Sequence, residues 1–263
     1  MTPSAPLEGP ATDLIPLAEQ FDNHDEYRPP ATDVLAGRTL ALDVEGGPAV
    51  RLTFATAGRL TWTASPASGG AGSGTETYEA VELRPDVLLV VIDRPAERVS
   101  VLAIADLARS RALLNVTRLL TGPAGEVVED TRYLQARIDG GDGAPFPRTT
   151  ELVGKRVHHR YSSTHAFEHI YLNASTYAYQ GLEGPERGVA DVDATDAFLL
   201  GDGLYLFSWH ERAQPLNGAI ALDLVAGRAY GRLFGWDRHQ GAALRIRTGS
   251  IATLLNETTY EGL

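Results

Sequence analysis

The sequence repeats itself at a fixed distance. Leu35-Ala36-Gly37-Arg38 returns as Leu152-Val153-Gly154-Lys155, Trp62 falls on Tyr179, Asp106-Leu107 on Asp223-Leu224, and Val87–Ile92 on Leu204–Trp209, all at a separation of 117 residues. One offset held over about seventy residues means that a single structural unit occurs twice. Each unit carries about eight short runs of period two, separated by turn signals such as Gly46-Gly47-Pro48, Arg84-Pro85-Asp86 and Arg94-Pro95-Ala96. In the first unit the runs lie at 38–44, 49–55, 59–64, 78–83, 87–92, 98–104 and 111–119. Short strands at regular spacing predict an all-β chain in which each unit closes into an antiparallel barrel, because closure removes the exposed edges of a free sheet. The expected organisation is an N-terminal arm over 1–30, a first barrel over 31–139, a linker over 140–150 and a second barrel over 151–263. Within the arm, Leu14 to Gln20 carries a weak helix signal, with Asp13 as N-cap and Pro16 in the first turn.

Composition narrows the function by exclusion. A formal charge of −11 with no run of Lys and Arg argues against nucleic acid, whose phosphates need a clustered cationic face. The absence of cysteine removes disulfides, thiolate catalysis and zinc-thiolate sites. No apolar stretch reaches membrane-spanning length, and Met1 to Pro10 lacks both the basic start and the apolar core of a secretory signal, so a cytoplasmic location is expected. Gly69–Gly74 lacks the Lys-Ser/Thr of a phosphate loop, and no Gly-x-Ser-x-Gly elbow is present, so no cofactor is expected.

Chemistry concentrates in the second unit, from His165 to Glu211. Alternation puts Tyr205, Phe207, Trp209 and Glu211 on one strand face, Phe167, His169 and Tyr171 on another, and Tyr177 with Tyr179 on a third. Strands are rich in aromatic residues in any case, so each ring is as readily plain barrel core as ligand wall. The contrast between the copies favours a site, because the first fills the matching strands with Val, Leu and Ile. An inward Glu211 at the end of an aromatic wall would be desolvated, its pKa raised, and would serve as general acid or base with His169 as its partner. The bland alternative pairs Glu211 with Arg187 or Arg212 at the rim. His158, His159, His165 and His169 do not read as a metal set: on a strand, positions four apart stand about 13 Å from each other.

The residues also resemble a known family. Leu35-Ala36-Gly37-Arg38, Glu168-His169-Ile170-Tyr171-Leu172-Asn173, Leu182-Glu183-Gly184-Pro185-Glu186, Leu204-Tyr205-Leu206-Phe207, Trp209-His210-Glu211, Gly231-Arg232-Leu233-Phe234-Gly235 and Leu254-Leu255-Asn256-Glu257-Thr258 are similar to the MoaF family over most of 31–260. The resemblance implies lipocalin-like (calycin) barrels and no assigned reaction. More distantly, the second unit resembles the phenolic acid decarboxylases, cofactor-free calycin lyases. Their Asn-x-x-Thr-x-x-Tyr corresponds to Asn173, Thr176 and Tyr179, and their catalytic Glu to Glu211 in Ser208-Trp209-His210-Glu211. Their substrate-gripping tyrosine pair lands on His159 and Tyr161, and their carboxylate-binding Arg lands near Val189–Asp191, where only a shifted Arg187 could stand in. That departure speaks against decarboxylation itself.

Two functions are therefore expected to compete. One is a cofactor-independent lyase, isomerase or cyclase acting on an aromatic or polyene molecule. Glu211, His169, Tyr161 and His159 would be catalytic, and Phe167, Tyr171, Tyr177, Tyr179, Arg187, Tyr205, Phe207 and Trp209 would hold substrate. The other is a lipocalin-like carrier that binds a hydrophobic small molecule without turnover. Neither needs nucleic acid, membrane, metal or cofactor, and a homodimer is left open.

Overall fold

The computed structural model describes residues 15–65 and 71–259, so Asp13, the expected N-cap, lies outside the described residues. Sixteen strands form two closed antiparallel barrels. The first runs β1 (Thr39–Val44), β2 (Ala49–Thr56), β3 (Arg59–Ser65), β4 (Gly72–Arg84), β5 (Val87–Arg94), β6 (Val99–Asp106), β7 (Arg111–Thr121) and β8 (Val127–Ile138). The second runs β9 (Lys155–Arg160), β10 (Ala166–Asn173), β11 (Thr176–Glu183), β12 (Ala190–Gly201), β13 (Leu204–His210), β14 (Leu216–Asp223), β15 (Arg228–Asp237) and β16 (Ala242–Glu257). Each strand pairs with its neighbour in sequence, and β8 and β16 return to β1 and β9 to close the two cylinders. The chain is thus all-β, a tandem pair of up-and-down barrels of the lipocalin kind. The duplication is exact in places: β2 and β10 begin and end 117 residues apart.

Among the described residues the helix content is one four-residue α-helix, α1 (Leu17–Gln20), and a 3-10 turn at Pro95–Glu97. No described helix is long and apolar enough to cross a membrane.

The barrels pack through the outer faces of β5–β7 and β12–β14. Leu89, Val91, Leu102, Ile104 and Leu113 of the first join Phe198, Leu206, Ala219 and Ala221 of the second in one buried cluster. Leu89 and Leu206, Leu102 and Ala219, and Ile104 and Ala221 are repeat equivalents at the same offset of 117, so each barrel offers the same patch to the other, as in a two-fold interface. Beside this patch Arg232 is fully buried, donating to Ser100 Oγ (3.1 Å), Asn115 Oδ1 (2.5 Å), Thr117 Oγ1 (2.9 Å) and Asn217 Oδ1 (2.8 Å). Five donors in a rigid fork suit arginine to such a nest of neutral acceptors. The stretch 140–150 lies against both units: Phe146 is buried and exchanges hydrogen bonds with the Gln135 side chain, while the Leu199 amide donates to Pro147 O.

A buried leucine in the turn before each first strand, Leu35 and Leu152, joins the apolar interior of its own barrel. The opposite end of the second barrel is covered by the N-terminal arm. Leu17 and Phe21 enter the interior cluster of that barrel, and His24 is buried beside them. The arm is anchored by Gly249 N donating to His24 O (2.7 Å), by Ser163 N donating to Glu26 (3.0 Å) and by the Arg28–Glu79 ion pair at 2.9 Å.

Candidate functional site

The two interiors differ residue by residue. On the first barrel's inner wall, Leu42, Val44, Val50, Leu52, Phe54, Leu60, Leu88 and Val90 make an apolar core. At the same repeat positions the second barrel carries His159, Tyr161, Phe167, His169, Tyr171, Tyr177, Tyr205 and Phe207. Further up, Ile92 becomes Trp209, Arg94 becomes Glu211 and Glu76 becomes Asp193.

The replacement rings lock together. Tyr177 is buried among His169 (5.1 Å between centroids), Phe207 (5.1 Å), Trp209 (6.0 Å) and Tyr179 (6.3 Å). Such pairs contribute about 0.5–1.5 kcal/mol each beyond burial. The indole of Trp209 lies over Gly218 on the adjacent strand β14, where an added Cβ would meet Cε2 at 2.1 Å. Glycine is therefore required for the ring to lie flat against the wall.

Little space is left. The interior cavity of the second barrel is about 30 Å³, lined by Tyr161, Phe167, His169, Tyr177, Tyr179, Glu186, Trp209, Glu211, Leu233 and Thr248, with Phe21 and His24 of the arm closing it. That is the share of about one water molecule. The His24 ring stacks on Tyr161 at 4.6 Å, and Phe21 meets His24 edge-on at 5.2 Å. The arm thus occupies the volume that a ring-bearing ligand would need. A larger hollow of about 440 Å³ beneath Arg28 and Pro29 is an outer cleft. Its charges are paired, Arg28 with Glu79, Arg245 with Asp93 and Arg247 with Asp25, although Arg28 Nη2 has no hydrogen-bond partner.

Of the expected site residues, Tyr161, Phe167, His169, Tyr177, Tyr179, Trp209 and Glu211 share the cavity. His159, Tyr171, Tyr205 and Phe207 are buried in the same barrel without lining it. His159 bonds Ser250 Oγ through Nδ1 at 3.0 Å, and Tyr205 donates to Glu151 at 2.9 Å. Arg187 is exposed and lies outside the cavity. Sequence reasoning missed Glu186, Leu233, Thr248 and the arm residues. Glu186 reaches the mouth because its loop folds against Gly181, where a Cβ would stand 2.0 Å from Glu186 O.

The electrostatics are set by enclosure. Burial drives the imidazoles of His169 and His24 down to about 3 and that of His159 well below its usual value, so all three are neutral at pH 7. Burial likewise holds the phenols of Tyr161, Tyr171, Tyr177 and Tyr179 protonated. Glu211 keeps some surface as a residue, but its carboxyl is enclosed, and burial pushes its pKa up to about 8. The neighbouring Glu186 and Asp193 add to that rise, and hydrogen bonds from Gln214 (2.7 Å) and Trp209 oppose it. Glu211 is accordingly a neutral carboxylic acid near pH 7. It does not pair with His169, nor, among the described residues, does it form an ion pair with Arg187 or Arg212; the Gln214 side-chain amide donates to it at 2.7 Å. Gln214 also donates to Gln20 Oε1 of the arm at 3.3 Å, and Gln20 donates to Glu186. Several buried polar atoms have no protein partner: His24 Nε2, His159 Nε2, His169 Nδ1, Tyr171 OH, Asp193 Oδ2 and Thr248 Oγ1. No group of three or more His, Asp or Glu could hold a metal ion among the described residues.

Comparison with known proteins agrees with this architecture. The MoaF N-terminal domain matches residues 13–121 and the MoaF C-terminal domain residues 146–258. Protein MoaF from Klebsiella aerogenes is 31% identical over 260 residues, covering 93% of this chain and 95% of the relative. The chain belongs to the MoaF family. The N-terminal match ends with β7, the C-terminal match begins at residue 146 ahead of β9, and the relative's name states no activity. Among solved structures, a putative beta-lactamase from Burkholderia vietnamiensis aligns at 16% identity with a TM-score of 0.35, over 41% of this chain and all (100%) of its own. At that level nothing follows from it for fold or chemistry.

Proposed function

We propose that the second barrel of this MoaF-family protein takes a planar hydrophobic molecule into its ring-lined mouth and acts on it without a cofactor, with Glu211 as the proton-transferring group. The observation that carries this reading is the substitution of one copy's apolar wall by tyrosines, histidines, a tryptophan and an enclosed acid at matching positions. A barrel needing only stability has no use for a neutral carboxylic acid among rings, since a buried polar group costs free energy that an apolar one does not. Near neutral pH Glu211 can give a proton to a carbon or oxygen of the ligand and take one back as carboxylate. Trp209, Tyr177 and Tyr179 would stack on the ligand, Tyr161 and His169 would offer hydrogen bonds, and water would be excluded. The reaction class is that of a lyase, isomerase or cyclase. Entry requires Phe21 and His24 to withdraw.

The carrier reading is favoured by one observation, the fullness of the interior: a shape that opens only around its ligand suits holding as well as turnover. Incubating the protein and its Glu211→Gln variant with a small-molecule extract, followed by untargeted mass spectrometry of free and retained compounds, separates the two. Compounds consumed by the wild type and retained intact by the variant support catalysis. Compounds retained unchanged by both support the carrier, and an extract untouched by either removes the site.

A further inference from the structure

The duplication supplies an internal control for the charge of the ligand. In the first barrel Arg94 forms an ion pair with Glu76 at 2.8 Å and lies over the Trp62 ring, 5.6 Å from its centroid. These three residues correspond at the offset of 117 to Glu211, Asp193 and Tyr179. The ring and one acid are retained, and the guanidinium has been exchanged for a second acid. Glu186 adds a third carboxyl to the same mouth, and Asp191 lies close enough to act on both Tyr179 and Asp193. The basic side chains nearby compensate only in part: Arg212 and His210 both act on Asp193, but His210 is itself held by Glu129 and Asp196. Arg187 and Arg212 are both exposed, and the Asp193 Oδ1 bond from position 212 comes from its backbone amide.

We propose that the mouth of the second barrel is a cation site, in which an ammonium, guanidinium or amidinium group borne on a planar apolar ligand takes the place that Arg94 fills in the first barrel. Two further observations point to a ligand there. Asp193 is only 2% exposed, and its Oδ2 has no hydrogen-bond partner, although the corresponding acid of the first barrel is paired. Thr248, 1% exposed, lines the cavity with an unpartnered hydroxyl. The arm already places a nitrogen donor at this spot: the Gln20 side-chain amide donates to Glu186, with the His24 ring stacked on Tyr161 behind it. A ligand with a ring and an N–H-bearing cation would reproduce both contacts and add the missing charge, drawing Glu211 into its carboxylate form with release of its proton to solvent, and would be stabilised by the acids and by the face of Tyr179. An anionic ligand would meet the Glu186 and Glu211 carboxyls with no Arg or Lys in the lining to offset them. This inference rests on the second barrel being the ligand site.

The test uses three probes with one ring system: 1-naphthylmethylammonium, 1-naphthalenemethanol and 1-naphthoate, titrated against the 263-residue chain by calorimetry. The ammonium probe is expected to bind at least tenfold more tightly than the alcohol, and the naphthoate more weakly than either. Glu211→Gln and Asp193→Asn should each erase most of that preference. Glu211→Arg should rebuild the first barrel's pair with Asp193, keep or raise the melting temperature and abolish binding of the ammonium probe. Alcohol or naphthoate binding as tight as the ammonium, or an undiminished ammonium affinity in Glu211→Arg, overturns the cation site while leaving the barrel as the ligand site. Absence of binding by all three probes, in the wild type and in a Phe21→Ala variant, overturns both.

Discussion

The enclosure of Glu211 can be measured through stability. With a pKa of about 8 in the folded chain against the usual 4.5, the folded state holds a proton that the unfolded state has released. The sign follows: the stabilisation is fully present below pH 4.5, declines as pH rises and is lost once pH passes about 8. At about 1.4 kcal/mol per pH unit, ionisation costs about 3 kcal/mol by pH 7 and up to about 5 kcal/mol by pH 9. These are ceilings, since water admitted by a shift of the arm would relieve part of the cost. Glu211→Gln keeps the shape and cannot ionise. It should match the wild type at pH 5 and exceed it by several kcal/mol at pH 9, as measured by urea unfolding at a series of pH values. Subtracting the curves cancels the titrations of Asp193 and Glu186 to first order and isolates residue 211. A difference that stays flat from pH 5 to pH 9 would show a hydrated carboxyl and refute the acid–base assignment.

Other perturbations reach separate parts of the argument. Phe21→Ala should cost about 3–5 kcal/mol by thermal unfolding, yet strengthen naphthalene-probe binding by opening the mouth; weaker binding would mean the arm builds the site instead of blocking it. Gly218→Ala should push the Trp209 ring off the wall into the cavity, destabilise the chain by about 1–3 kcal/mol and alter tryptophan fluorescence. Arg232→Ala, which leaves acceptors of both barrels unpaired, should cost about 3–5 kcal/mol and split a single unfolding transition into two; a single unshifted transition would show that the barrels are not coupled through that nest.

The architecture was legible because duplication imprints one offset on many residues, and period-two alternation survives wherever one face of a strand is buried. The strand Val127–Ile138 carries no such signal, since Glu129, Asp130, Arg132 and Arg137 make it read as polar. Alternation alone puts Phe167 with His169, Tyr177 with Tyr179 and Trp209 with Glu211 on shared faces; that these faces turn inward comes from the closed barrel. Depth did not: nothing in a strand's period tells whether a ring lines a cavity, as Tyr179 does, or closes the barrel below it, as Tyr205 does. The arm's occupation of the mouth is a contact across more than a hundred residues and leaves no local trace. Asp193 was within reach, because its counterpart Glu76 sits at the same offset that revealed the repeat.

The nest around Arg232 has a consequence for how such a chain can vary. Its repeat equivalent is Asn115, the very residue to which it donates. In a self-associating pair of identical subunits, an arginine at that position would appear twice and face its own like charge across the axis. Covalent fusion breaks that constraint: one half keeps an amide, the other takes the guanidinium, and the same freedom lets one half stay a plain scaffold while its twin accumulates chemistry.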